Sequence, residues 1–300
     1  MLLTSLFLVI TMTVIAAGWE VPSDFPTIQA AIDSTAVING DKITVSAGNH
    51  AGALITKSVE IKGADGAIID SGPAHASGMV IGFRMLDGSN GATISHLTFE
   101  VDLPIISSLV IDDVTITQNT LKNPVQGITN WGGSRWEISH NSILGLKARN
   151  GGGIGIIVGV YNGGEVTENV ISHNTISGIL QVPATDGGGY NGTGIVLYSD
   201  FRWGRSGGEL SLNRVVKNTV AMSANDLSGK GVDIVAYEMS ESRDIVGTPV
   251  ITANAIGFNN FRGTVLQIVL MPTSLDEVND ISRNLGENRG HGLAPKVFFE

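Results

Sequence analysis

The chain has 300 residues, of which 39 are glycine and 15% are charged, with a formal net charge of −10 and no cysteine. Disulfides, thiol chemistry and cysteine-bound zinc are therefore excluded. The acidic balance argues against a nucleic acid or an anionic membrane surface as partner.

Leu2 to Ala17 form an apolar run without Lys or Arg that ends in small residues. It is short for a membrane span and predicts a secretion signal over residues 1–17, with an uncleaved anchor as the alternative and membrane contact only if the segment is retained. Residues 18–300 are then one domain, secreted and extracellular or periplasmic. Val21 to Thr35 predicts a short amphipathic helix with Phe25, Ile28, Ala31 and Ile32 on one face, Pro26 in the first turn and Ser23 or Asp24 as cap. Asp41 to Gly48 and Ile55 to Gly63 read as strands by their alternation and terminal glycines.

From residue 94 onward one short motif recurs: Ile116-Thr-Gln-Asn119-Thr-Leu121, Ile138-Ser-His-Asn141-Ser-Ile143 and Ile171-Ser-His-Asn174-Thr-Ile176. Val215 to Val220, Ile251 to Ile256 and Ile281 to Leu285 continue it around Asn218, Asn254 and Asn284, and Leu97 stands in the Asn slot of an earlier copy. Positions 97, 119 and 141 are 22 residues apart, the length of one solenoid turn. A unit this short must stack on its neighbours to bury an apolar face. Asn tolerates a left-handed turn, and Asn side chains stacked about 4.8 Å apart can form a hydrogen-bonded ladder. The expected fold is all-β, a single-stranded right-handed parallel β-helix of roughly eight to ten rungs with an N-terminal cap helix.

Phe25 to Ile32, Asp41 to Gly48 and Lys57 to Gly63 together resemble the N-terminal cap and first coils of pectate-lyase-like right-handed parallel β-helix proteins. The Asn repeats resemble the parallel β-helix repeats of that superfamily, including its NosD-like group. The resemblance covers about residues 21–300 and implies a fold more than an activity, because this fold carries lyases, hydrolases, esterases and non-enzymes.

A second family of strands follows each Asn, over 127–129, 153–158, 194–198, 231–236 and 263–269. Lengthened loops are expected at 144–152, 182–193 and 221–230, and others on the opposite edge at 131–136, 160–164, 199–208 and 237–244. Insertions in repeat proteins collect on the binding face. They would flank a groove whose outward positions are Thr129, Trp131, Gly155, Ile157, Val196, Tyr198, Asp233, Val235, Val265 and Gln267.

A glycosidase needs two carboxyls facing one bond. Asp233 is the candidate on the strands, with Asp200, Asp186 or Asp226 as its partner from the loops, and Arg205 is the candidate base for a lyase. Trp131, Arg135, Lys147, Arg149 and Asp186 are candidate substrate contacts, together with Tyr190, Tyr198, Arg202 and Trp203. Trp136 and Tyr161 belong to the same aromatic set. Sugars stack on aromatic faces and uronates pair with Arg forks.

The multi-Asp signature of polygalacturonases is missing, Asp112-Asp113 reads as a turn, and His291-Gly292 forms no motif. No cofactor is evident, and calcium has no clustered Asp/Glu run to hold it. His96, His140 and His173 share one repeat position, which places His140 and His173 about 5 Å apart as a turn-lining stack. Two functions follow: binding, and in an enzymatic version cleavage by lyase or glycosidase chemistry, of an extracellular polysaccharide or other glycan; or a non-catalytic envelope or adhesin-like protein that forms homo-oligomers through its apolar face.

Overall fold

The computed structural model describes residues 16–149, 152–186, 191–242, 248–286 and 288–290. Tyr190, His291, Gly292 and most of the 1–17 segment lie outside the described residues. The chain winds as a parallel β-helix in the right-handed sense of parallel crossovers. Among the described residues the coils stack into sheets of ten, nine and seven strands, with a smaller three-stranded sheet on one side. The register advances by 22 residues from Asn119 to Asn141, then by 33, 44, 41 and 25 along the successive rungs.

Each rung repeats one inward aliphatic. Ile94, Ile116, Ile138, Ile171, Val215 and Ile256 pair in register down the ten-stranded sheet and are fully buried. Burying one such side chain contributes about 1.5–3 kcal/mol. Helix Ile28–Asp33 buries Ile28, Ala31 and Ile32 against the first coil. It begins later than the sequence pattern suggests. Thr27 is the N-cap and accepts from the Ala30 amide, while Asp24 accepts from Glu20 in the preceding turn and Phe25 packs edge-on against Trp19.

The Asn residues form two ladders. In the first, the side-chain oxygens of Asn119, Asn141, Asn174, Asn218, Asn259 and Asn284 each accept a backbone N–H from the preceding rung. In the second, Asn169, Asn213, Asn254 and Asn279 do the same. Asn254 therefore belongs to the second ladder, and Asn259 takes the place that the motif gave it. The left-handed residue is the one before each Asn: Gln118, His140, His173 and Lys217 have φ of 57°, 57°, 55° and 59°. The Asn side chain satisfies amides of the neighbouring rung, and its predecessor makes the corner. His140 and His173 stack at 4.8 Å, as their shared position predicts.

Two expected sets of loops are partly sheet instead. Strands Ser142–Lys147, Thr175–Val182 and Thr219–Asp226 reach into 144–152, 182–193 and 221–230, and the last two pair over eight residues. On the other edge, Asn162–Thr167, Gly207–Ser211 and Ile251–Thr252 make the three-stranded sheet. Extra length at a corner is cheapest when its backbone groups pair with the same insertion on the next rung.

The nine-stranded sheet lengthens from three residues at Ala53–Ile55 to nine at Asn191–Ser199 and Asp233–Glu241. Ile156, Val158, Ile195, Leu197, Tyr237 and Met239 face the main core. Trp131, Ile154, Ile157, Val196 and Tyr198 form a separate cluster on the other face. Gly155 points inward, against expectation: a Cβ there would lie 2.5 Å from Gly194 O and 2.9 Å from Ile176 Cδ1. Two consecutive inward positions, 155 and 156, break the alternation. Leu266, paired with Val235, takes the outward place expected of its neighbours, and Val265 is exposed ahead of the strand.

Candidate functional site

The outward face of the nine-stranded sheet is not an open groove. Thr129, Trp131, Ile157, Val196, Tyr198 and Val235 are all buried. Trp131 and Tyr198 therefore cannot offer their rings to a ligand. Trp136 is buried on another side, its indole N–H donating to Ile111 O at 2.6 Å.

The expected carboxylate partnership of Asp233 with Asp200 also fails. Asp233 pairs with Asn191 at the start of one strand, and Asp200 follows the end of the neighbouring one. Nine residues of strand separate them, about 30 Å. Asp226 is committed to its own turn, accepting from the Ser228 hydroxyl and from Gly231 N–H at 2.8 Å.

The remaining candidates divide among three places. Arg135 is half-exposed and pairs with Asp113 at 2.6 Å and Asp112 at 3.1 Å, which occupies its fork. Lys147 pairs with Asp102, and Arg149 donates to Ser77 O. Lys147 lines a cleft of about 380 Å³ with Gln181, Pro183, Asn225 and Leu227, and Asp186 lies nearby, its carbonyl meeting Lys230.

Tyr161, Tyr198, Asp200, Arg202, Trp203 and Arg205 meet at the other end of the strands. Tyr198 lies at the close of strand Asn191–Ser199, and the chain turns at once through Asp200 into a short 3-10 turn, Arg202–Gly204. Asp200 is fully buried. Its Oδ1 accepts from Arg202 N–H at 3.0 Å, Arg202 Nε at 2.9 Å and Ser242 Oγ at 2.8 Å. Its Oδ2 accepts from Arg202 Nη2 and Arg205 Nη1, each at 3.2 Å. Burial raises this carboxyl, but the hydrogen bonds from Arg202 and Ser242 outweigh it and hold Asp200 below the usual carboxylate range.

The two guanidinium groups so fixed are covered with aromatic rings. Arg202 lies 5.2 Å from the Tyr198 ring and 4.6 Å from Trp203, and Arg205 lies 5.2 Å from Trp203 and 5.8 Å from Tyr161. Trp131 supports Tyr161 and Tyr198 edge-on at 5.5 and 6.1 Å. Trp203 itself is 76% exposed. Its backbone is left-handed, φ 55° and ψ 40°, a conformation costing about 1–2 kcal/mol for a residue with a side chain. A large aromatic held outward at that cost, over two cations locked to a buried carboxylate, is a preorganised contact platform.

Glu238 is absent from the candidates that alternation and composition select. It lies on the outward face, two residues from Ser240, a neighbour of the platform. It is fully buried, accepts from Thr193 Oγ1 at 3.2 Å, and burial raises its carboxyl to about 8. A lone Glu inside the apolar run 234–239 is the signal that could have found it. Among the described residues no group of three or more His, Cys, Asp or Glu is placed to hold a metal ion, and no helix is long and apolar enough to cross a membrane.

No protein-family model matches the sequence. A cell surface glycoprotein of Methanothermus fervidus is 31% identical over 147 residues, covering 44% of this chain. The chain spans 22% of that relative's length. The catalytic domain of a GH87 alpha-1,3-glucanase, solved with tetrasaccharides, aligns over 84% of this chain and 64% of its own with 12% identity and a TM-score of 0.27. A pectin methylesterase solved with a hexasaccharide aligns over 83% of this chain and 71% of its own with 16% identity and a TM-score of 0.23. The stacked parallel coils by themselves show a parallel β-helix fold.

Proposed function

We propose that this chain is an extracellular β-helix protein that binds an acidic polysaccharide at the Trp203 platform. The observation that carries the reading is the exposed Trp203 indole, held against the guanidinium groups of Arg202 and Arg205. An indole face stacks on the apolar face of a sugar ring, and the neighbouring cations favour a carboxylate-bearing sugar. One carboxylate, Asp200, stands between two guanidinium groups, while the Glu241 carboxylate turns away to the Val250 and Ile251 amides. The ring of contacts thus carries positive charge on an otherwise acidic chain.

The geometry supports binding over turnover. Both Asp200 oxygens are filled by five donors, which leaves it no role as base. Glu238 keeps its proton at neutral pH but is buried. Binding to polygalacturonate and alginate, beside neutral glucans, tests the proposal, with absorbance near 235 nm and reducing-sugar release followed in parallel. Retention of anionic glycans without product is the expected result. Binding to none of them favours the second reading, a structural surface protein, to which the cell surface glycoprotein match points.

A further inference from the structure

The first strand holds a charge that the platform does not use. Asp41 is fully buried between the first two rungs. Its Oδ1 accepts from the Ala17 N–H at 2.7 Å, and its Oδ2 from Trp19 Nε1 at 2.9 Å and the Ile38 N–H at 3.0 Å. All three donors are neutral. Lys57 acts on Asp41 only through its charge, because its ammonium donates to Ser34 O and Val37 O at 2.6 and 2.8 Å. Burial raises the carboxyl, yet these hydrogen bonds and Lys57 outweigh it and hold Asp41 below its ordinary value. Asp41 is thus a buried anion stabilised by neutral donors, with room in its charge balance for a contacting cation, of which the described residues supply none.

The sequence supplies one. The apolar run before this strand ends Val14-Ile-Ala-Ala17; cleavage after Ala16 or after Ala17 has alanine at the last position, with Val14 or the bulkier Ile15 at the third-last. The fold distinguishes the two. Ala17 is part of the first coil: its N–H meets Asp41, and its carbonyl accepts the Lys42 N–H at 2.9 Å. Cleavage after Ala17 removes both contacts, whereas Ala16 is exposed and outside the first strand. We propose that the leader is removed between Ala16 and Ala17, and that the new α-ammonium of Ala17 becomes the counter-ion of Asp41. A peptidase adds water across the Ala16–Ala17 C–N bond, leaving a carboxylate on Ala16 and an ammonium on Ala17. That ammonium stands 2.7 Å from Asp41 Oδ1, where the amide stood. Processing thereby converts a hydrogen bond to a buried anion into an ion pair that locks the first strand.

The pH dependence has a definite sign. An α-amine titrates near about 7.7–8.0 when free, and pairing with Asp41 raises it in the folded state. The added stability is complete below that free value and is lost as pH rises through the raised one. The test is N-terminal sequencing of the full-length chain exported from a secreting host. A start at Ala17 is expected; a start at Met1, Gly18 or any other residue overturns the assignment. A second measurement compares melting of the chain beginning at Ala17 with the same chain carrying one extra alanine ahead of it, which restores the amide. The Ala17 chain should melt higher at about pH 7, with the gap closed by about pH 10. Equal melting at neutral pH, or a gap that does not close, overturns the ion pair.

Discussion

Each ladder Asn holds two rungs together. Asn174 Oδ1 accepts the Asn141 N–H, and its Nδ2 donates to Ile138 O and Asn218 Oδ1. Asn174→Ala leaves these groups buried without partners and should cost about 1–3 kcal/mol in denaturant unfolding, with glycan affinity unchanged. The repeat made the ladder legible in the sequence. It did not separate two ladders, because Asn254 and Asn259 sit five residues apart in equally plausible settings, and only the lateral pairing decides which rung-mate each one meets. Glu238 carries the second prediction at this scale. Its folded value of about 8 exceeds the ordinary 4.5, so the native state holds a proton that the unfolded chain releases. Stability should therefore fall as pH rises from about 4.5 to 8, by on the order of 5 kcal/mol in total. Glu238→Gln should flatten that slope in urea melts taken between these limits, and an unchanged slope would show that the carboxyl is ionised in the folded state.

The element on which the proposed glycan binding rests is the turn from Ser199 to Gly208. Its base is fixed by Asp200, and its return leg by Gly207, where a Cβ would lie 2.2 Å from the Phe201 ring. Gly207→Ala should expel Phe201 and disorder the turn, and loss of glycan binding should exceed any loss of melting temperature. Trp203→Gly removes the ring and also relieves its left-handed backbone, so it should melt no lower than the parent and bind glycan poorly. Arg205→Ala is a poorer probe, because it strips one of five donors from the buried Asp200 and so disturbs the base of the turn as well as the platform.

Composition marked this turn, since aromatic and arginine residues crowd one short segment. Composition could not show that Tyr198 and Trp131 lie beneath it as support, because outward alternation says which side a ring takes and not what covers that side. Alternation also placed Asp233 on the same groove. Nine-residue strands put it at the far end from the turn, and strand length is hidden when 182–193 and 221–230 read as loops.

Across the whole molecule, a chain of net charge −10 presents at the end of its longest strands a built cluster of cations and rings. An acidic ligand is drawn to that patch and repelled elsewhere, so affinity should fall with added salt as the Debye length shrinks from about 10 Å at 0.1 M to about 3 Å at 1 M. The 22-residue spacing by itself makes the coil legible, and the rungs of 33 and 44 residues are those that carry Tyr161 and the platform turn. Calorimetric titration of oligogalacturonates into the parent and into Trp203→Ala separates a binding platform from a structural turn. The parent should bind saturably and the variant at least about tenfold more weakly, roughly 1.4 kcal/mol, with both proteins melting together. Equal affinity in the two proteins, or no heat of binding in the parent, would contradict the binding platform.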